Sequence, residues 1–130
     1  MLKTNLLIAT MLCALAVALG AFGAHGLKNY ADEATLHTFE TAVRYQFYHA
    51  LAILMASILF KSFPDKKIKN ACTLFIAGIC LFSGSLYILT LLKINGIANF
   101  NFIGSITPVG GLLFILGWLF LALGINSNKA

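Results

Sequence analysis

The chain has 130 residues, of which 60% are hydrophobic and 10% charged, with nine Lys and Arg against four Asp and Glu. A soluble domain covers its surface with about a quarter charged residues, so this composition, with a mean hydropathy of +0.91, excludes a soluble enzyme and points to a membrane protein. Four crossings of roughly 20 residues each would fill most of the chain and leave no separate extramembrane domain.

The first apolar run, residues 6–23, carries no charge and is followed by Gly26, where a helix can close. It is long for the core of a signal peptide and reads as a span over about 5–25. The second span, 43–60, reaches its length only by including Arg44, Gln46 and His49. Upstream, Leu36, Phe39 and Val43 recur at helical spacing and Glu40 lies four residues before Arg44. This pattern predicts that the helix starts near Asp32 or Glu33, as an amphipathic interfacial segment before the second span, and enters the bilayer obliquely. A third span covers 71–92 and a fourth 104–125. Proline suits the first turn of a helix better than its interior. Thr107 is therefore expected to cap a helix running from Pro108 to about Ile125, with residues 104–107 outside regular structure. The fold class expected is all-α, a four-helix transmembrane bundle forming a single integral membrane domain over 1–130.

Four spans put both termini and the 61–69 connection on one side, with Lys3, Lys61, Lys66, Lys67, Lys69 and Lys129; Lys28, Arg44 and Lys93 fall on the other. An excess of Lys and Arg marks the cytoplasmic side, so both termini are expected inside. Small residues give the packing faces: Gly110, Gly117 and Gly124 repeat every seven positions and Ala16, Gly20 and Ala24 every four. Such stripes let helix backbones approach where lipid removes the usual hydrophobic drive. Internal packing is the first use for them and a homo-oligomer interface the second.

With the topology set, the polar residues are expected to converge in the outer leaflet. His25 ends the first helix, Arg44, Tyr45 and His49 occupy the start of the second span, Ser83 and Tyr87 the outward half of the third, and Thr107 the opening of the fourth. Polar groups in hydrocarbon are costly unless paired. These seven residues are the candidate site, a shallow pocket for a phospholipid headgroup, a carboxylate or a quinone-like molecule. Each also has a plainer reading: Arg44 can snorkel or pair with Glu40, and His49, too short to snorkel, can be a structural histidine bonded to Tyr45 or Tyr87. The basic residues lie in connections and not on an aromatic-studded patch, so no nucleic-acid partner is expected. Cys13, Cys72 and Cys80 lie in apolar runs without C-x-x-C spacing and read as small hydrophobes. Two His residues without further ligands fall short of a metal site, and no cofactor is expected.

The chain resembles the small membrane proteins known as domain of unknown function 423, which are similar to the eukaryotic transmembrane protein 256 group. The resemblance runs almost end to end. It rests on Gly23-Ala24-His25-Gly26-Leu27, on Thr41-Ala42-Val43-Arg44-Tyr45-Gln46 with His49-Ala50-Leu51, on Phe82-Ser83-Gly84-Ser85-Leu86-Tyr87, and on Ile106-Thr107-Pro108-Val109-Gly110-Gly111 with Gly117-Trp118. It implies a multi-pass protein of the bacterial inner membrane or its mitochondrial counterpart, with no activity attached. Three classes of function follow. The first is a non-catalytic membrane component that binds lipid and assembles with itself or a larger complex. The second is an oligomeric transporter or channel for a small solute, anion or protons. The third, ranked last, is an intramembrane enzyme, since no carboxylate is placed to orient a His base beside Ser83.

Overall fold

The computed structural model describes residues 2–97, 99 and 101–127; Lys129, counted above on the inner side, lies outside the described residues. Helix α1 spans Lys3–His25, α2 Glu33–Leu59, α3 Lys66–Gly78, α4 Gly84–Ile94 and α5 Asn101–Ser127. A five-residue π turn, Ile79–Ser83, joins α3 to α4 so that they form one crossing. The result is four antiparallel helical rods of 27 to 29 residues, each long and apolar enough to cross a membrane.

Local chemistry sets the ends. Asp32 caps α2 by accepting from the Thr35 amide at 2.7 Å, and the hydrogen bonds from Thr35, helped by Lys93, hold its carboxyl below the usual carboxylate range. Asp65 caps α3 in the same manner, through the Lys67 amide. Pro64, just before it, suits the tight connection because its ring prevents α2 from continuing. After α4 the chain turns through Gly96 at φ 71°. Ile97 N–H bonds the Leu92 carbonyl and Gly96 N–H that of Lys93, a Schellman closure whose left-handed residue favours glycine.

Two features bear on the sequence expectation. Helix α2 starts at Glu33, where the sequence places the helix start, and is continuous to Leu59, so the amphipathic stretch is its first turns and not a distinct interfacial element. Helix α5 begins at Asn101 and contains Pro108 in its interior, so Thr107 is not an N-cap and residues 104–107 are helical. The missing proline N–H deprives only the Gly104 carbonyl of a helical partner, a defect that membrane helices tolerate.

Glycines fix how the third crossing meets α5. A Cβ on Gly117 would lie 2.6 Å from the Phe75 ring, one on Gly124 2.6 Å from Ile68, and one on Gly110 would collide with the backbone at Phe82. Each partner steps back along α3 and the π turn by seven as α5 steps forward by seven, the register of two antiparallel helices in continuous contact. Across the bundle, Ala16 and Gly20 face α2 as the stripe predicts, but Gly23, lodged against Phe39, takes the place of the exposed Ala24. The core between these faces contains Ile53, Ala56, Ile68, Ala71, Cys72 and Phe75, all fully buried. Helix α2 is the most interior rod and α1 the most peripheral.

Gly110→Ala is expected to force α5 away from Phe82 and destabilise the fold by about 1–3 kcal/mol, the usual cost of overpacking. Gly104→Ala, with open space at its Cβ, is expected to be neutral or to stabilise by up to ~1 kcal/mol through helix propensity. Unfolding of the two variants by SDS titration in mixed micelles measures the contrast.

Candidate functional site

Several polar side chains inside the bundle bond between helices, and α2 supplies most of the partners, whereas the buried Ser57 and Thr90 donate to carbonyls of their own helices. Gln46 is almost fully buried. Its amide nitrogen donates to the Leu12 carbonyl of α1 at 2.9 Å, and its amide oxygen accepts from the Tyr87 hydroxyl of α4 at 2.7 Å. One side chain thereby ties three crossings together. Ser83, fully buried in the π turn, donates to the Ala42 carbonyl at 2.7 Å. Thr107 pairs with Ser85 at 2.5 Å across α4 and α5.

His49 joins α2 to α5. Its Nε2 lies 3.2 Å from the Trp118 indole nitrogen and its Nδ1 2.7 Å from the Tyr45 carbonyl. An indole N–H can only donate, so Nε2 accepts and Nδ1 carries the proton that goes to Tyr45. Both ring nitrogens are satisfied by one neutral tautomer. The imidazole also stacks on Phe114 at 3.5 Å between centroids with planes 8° apart. Phe75 meets Trp118 edge-on at 5.0 Å, and Tyr45 covers Phe82 at 4.7 Å. Tyr45, His49, Phe82, Phe114 and Trp118, with Pro108, line an open groove of about 600 Å³ between α2 and α5.

The seven predicted residues therefore do not share one pocket. His49 lies sixteen residues from Glu33 and ten from Leu59, beyond the midpoint of α2 and level with Trp118, not among the outermost polar groups. A span counted from residue 43 puts His49 within its first two turns, whereas the rod counted from Glu33 puts it past the middle. Ser83, Tyr87 and Thr107 lie on the α2 N-terminal side of the level of His49 but serve separate bonds. His25 is exposed at the end of α1, beside Gly23 and Phe39, and His49 is ten residues deeper than Phe39 along α2, ~15 Å at the helical rise. The two histidines cannot share a ligand.

Arg44 is exposed on the opposite side of α2. It lines a slot of about 340 Å³ with Ala16, Val17, Gly20, Phe47 and Tyr48, which adjoins, toward the N-terminus of α2, a smaller hollow of about 200 Å³ lined by Gly23, Phe39 and Glu40 and sharing Arg44. Among the described residues the ion pair within 4 Å is Lys67–Asp65, so the pairing of Arg44 with Glu40 that their spacing allows is not made. The sequence reading passed over Gln46, Ser85 and Trp118 as site partners. A buried amide in hydrocarbon was the available signal, because it must find both a donor and an acceptor.

Trp118 is the single tryptophan, so its emission reports on the bond to His49. His49→Phe, which keeps the stacking and removes the acceptor, is expected to shift that emission to shorter wavelength and to cost ~0.5–2 kcal/mol against SDS unfolding, the range of interhelical hydrogen bonds in membranes. His49→Gln, which retains an acceptor, is expected to lose less.

The chain is similar to known proteins over most of its length. The family described as "Protein of unknown function (DUF423)" matches residues 19–111. The UPF0382 membrane protein SSP2132 of Staphylococcus saprophyticus is 41% identical over 95% of this chain and 97% of its own. The UPF0382 membrane protein YwdK of Bacillus subtilis is 38% identical, covering 92% and 94%. A UPF0382 membrane protein of Haemophilus influenzae is also 38% identical, covering 88% and 86%. No solved structure matches the chain. With a family match across most of its length and relatives of this identity, the chain belongs to the DUF423 family, whose members here are named UPF0382 membrane proteins.

Proposed function

We propose that this protein is a non-catalytic component of the bacterial inner membrane that binds lipid in the outer leaflet and assembles with its own copies or with a larger membrane complex. One contrast carries the reading. The buried Gln46, His49 and Ser83 and the half-buried Tyr87 are engaged in bonds that hold helix to helix, whereas the cation Arg44 stands at a lipid-facing slot. A hydroxyl committed to a backbone carbonyl, as Ser83 is, is poorly disposed to act as a nucleophile. Exposed small residues on α1, Ala14, Ala18, Ala21 and Ala24, support close approach by another helix.

The orientation we propose puts both termini in the cytoplasm. Lys3, Lys61, Lys66, Lys67 and Lys69 gather at one end, where Asp65 is the acid, giving +4 among the described residues. At the other end Lys28 and Lys93 are balanced by Asp32 and Glu33. Lysine excess of this kind is retained on the cytoplasmic side.

Two measurements test the reading. Native mass spectrometry from mild detergent is expected to show more than one chain, or a partner, with phospholipid retained; a bare monomer overturns the proposal, and liposome flux that vanishes with His49→Ala would replace it with the transport alternative. For orientation, the native cysteines are replaced by Ala and single cysteines introduced. Tyr30→Cys is expected to react with an impermeant maleimide on intact spheroplasts and Lys66→Cys only after lysis; the reverse pattern overturns the topology.

A further inference from the structure

We infer that the slot between α1 and α2 is a site for a zwitterionic phospholipid whose headgroup carries an ammonium group, with Arg44 taking the phosphate and Glu40 the ammonium. This rests on the lipid-binding reading above and gives it an address and a chemistry. The order of groups along the bilayer normal carries it. The hollow that reaches Glu40 is the outer part of the slot, and Arg44 lies one turn deeper, ~6 Å along the axis. Below Arg44 the slot continues between Ala16 and Val17 of α1 and Phe47 and Tyr48 of α2, and its walls are almost wholly apolar.

Carboxylate, guanidinium and apolar trough follow one another in the sequence in which an aminophospholipid presents ammonium, phosphate and acyl chain. Both charged side chains are exposed and on the same edge of the slot, and they are not paired with each other. A guanidinium matches phosphate oxygens through two parallel N–H bonds. Its flexible stem also lets it reach outward from within the hydrocarbon. Because one positive and one negative group flank the slot, its local charge is zero. A purely anionic headgroup would leave Glu40 facing a second negative charge, which is why the amine is the discriminating feature. The floor is open because Gly20 has no side chain: a Cβ there would already meet Val43 at 3.4 Å, and anything larger would fill the trough.

The test uses the full-length protein in mild detergent with an equimolar mixture of phosphatidylethanolamine and phosphatidylglycerol, read by native mass spectrometry. The wild type is expected to retain phosphatidylethanolamine in preference. Glu40→Gln is expected to abolish the preference while lipid is still retained. Arg44→Gln is expected to lower retention of both lipids roughly tenfold, the effect of losing a charge-assisted hydrogen bond, and Ala21→Phe, at the exposed rim of the trough, to lower both as well. Unchanged Trp118 emission certifies that each variant is folded. If the wild type retains lipid without regard to the amine, or the three variants behave as the wild type, this assignment fails while general lipid binding stands. If no chain retains any lipid, the lipid-binding reading falls with it. Disulfide formation between two copies carrying Glu40→Cys and Arg44→Cys in place of the native cysteines would assign the face to a second copy and overturn the lipid site.

Discussion

Hydrocarbon offers a buried amide no water to fall back on, so the placement of Gln46 decides which helices must meet. Its two ends need an acceptor and a donor, and they find them on different helices, the Leu12 carbonyl of α1 and the Tyr87 hydroxyl of α4. Apolar packing between helices is nearly degenerate in lipid, because a leucine tail is as well solvated by acyl chains as by another helix. A directional bond removes that degeneracy. Ser83 with the Ala42 carbonyl, Thr107 with Ser85, and His49 with Trp118 repeat the device at other points. Apart from the Ser85–Thr107 bridge and the exposed Lys67–Ser127 bond at the end of α5, the long-range side-chain bonds use α2, in keeping with the helix of weakest hydropathy also being the most buried.

The glycine register and the polar bonds constrain each other. Gly110 and Gly78 bring α5 onto the third crossing where that crossing widens into the π turn. Phe114 covers Gly78, and on its other face carries the His49 ring. A side chain on either glycine would therefore displace not only two backbones but the ring on which the imidazole rests. Wide turns of this kind re-aim the residues that follow them. Here the turn ends on Ser83, whose hydroxyl meets α2, and two residues later Ser85 meets α5.

Much of the architecture was legible in the sequence because composition and helix length act on whole segments. Four apolar runs separated by short polar connections leave few ways to place a chain in a bilayer, and the heptad spacing of Gly110, Gly117 and Gly124 identified a packing face directly. The errors came where one residue type obeys two rules. Pro108 was read as a helix start because proline is good there, but the apolar and small residues before it continue the helix and only one carbonyl loses its bond. The stretch before residue 43 is legible as helix from the spacing of Leu36, Phe39 and Val43, and α2 does begin at Glu33; what periodicity does not show is that these turns continue the second rod without a separate interfacial segment. Which polar residues pair was not legible. Periodicity fixes the face on which Gln46 and His49 lie, but the partner across the gap depends on the relative translation of two helices, and a shift of one turn would exchange Trp118 for Phe114 or Leu121.

That distinction between paired and unpaired polar groups separates structure from function within a single helix. Gln46 and His49 face inward, where leaving either without a partner would be costly, so their chemistry is consumed by cohesion. Arg44 and Glu40 sit on the same helix but face the slot beside α1, and the bundle would hold together without them. A cation and an anion at one rim of an apolar trough, not paired with each other, have no role in the packing described for the remaining residues. On the lipid-binding reading proposed above, they would meet a molecule that carries complementary charges in the same order, a pattern that a zwitterionic phospholipid has.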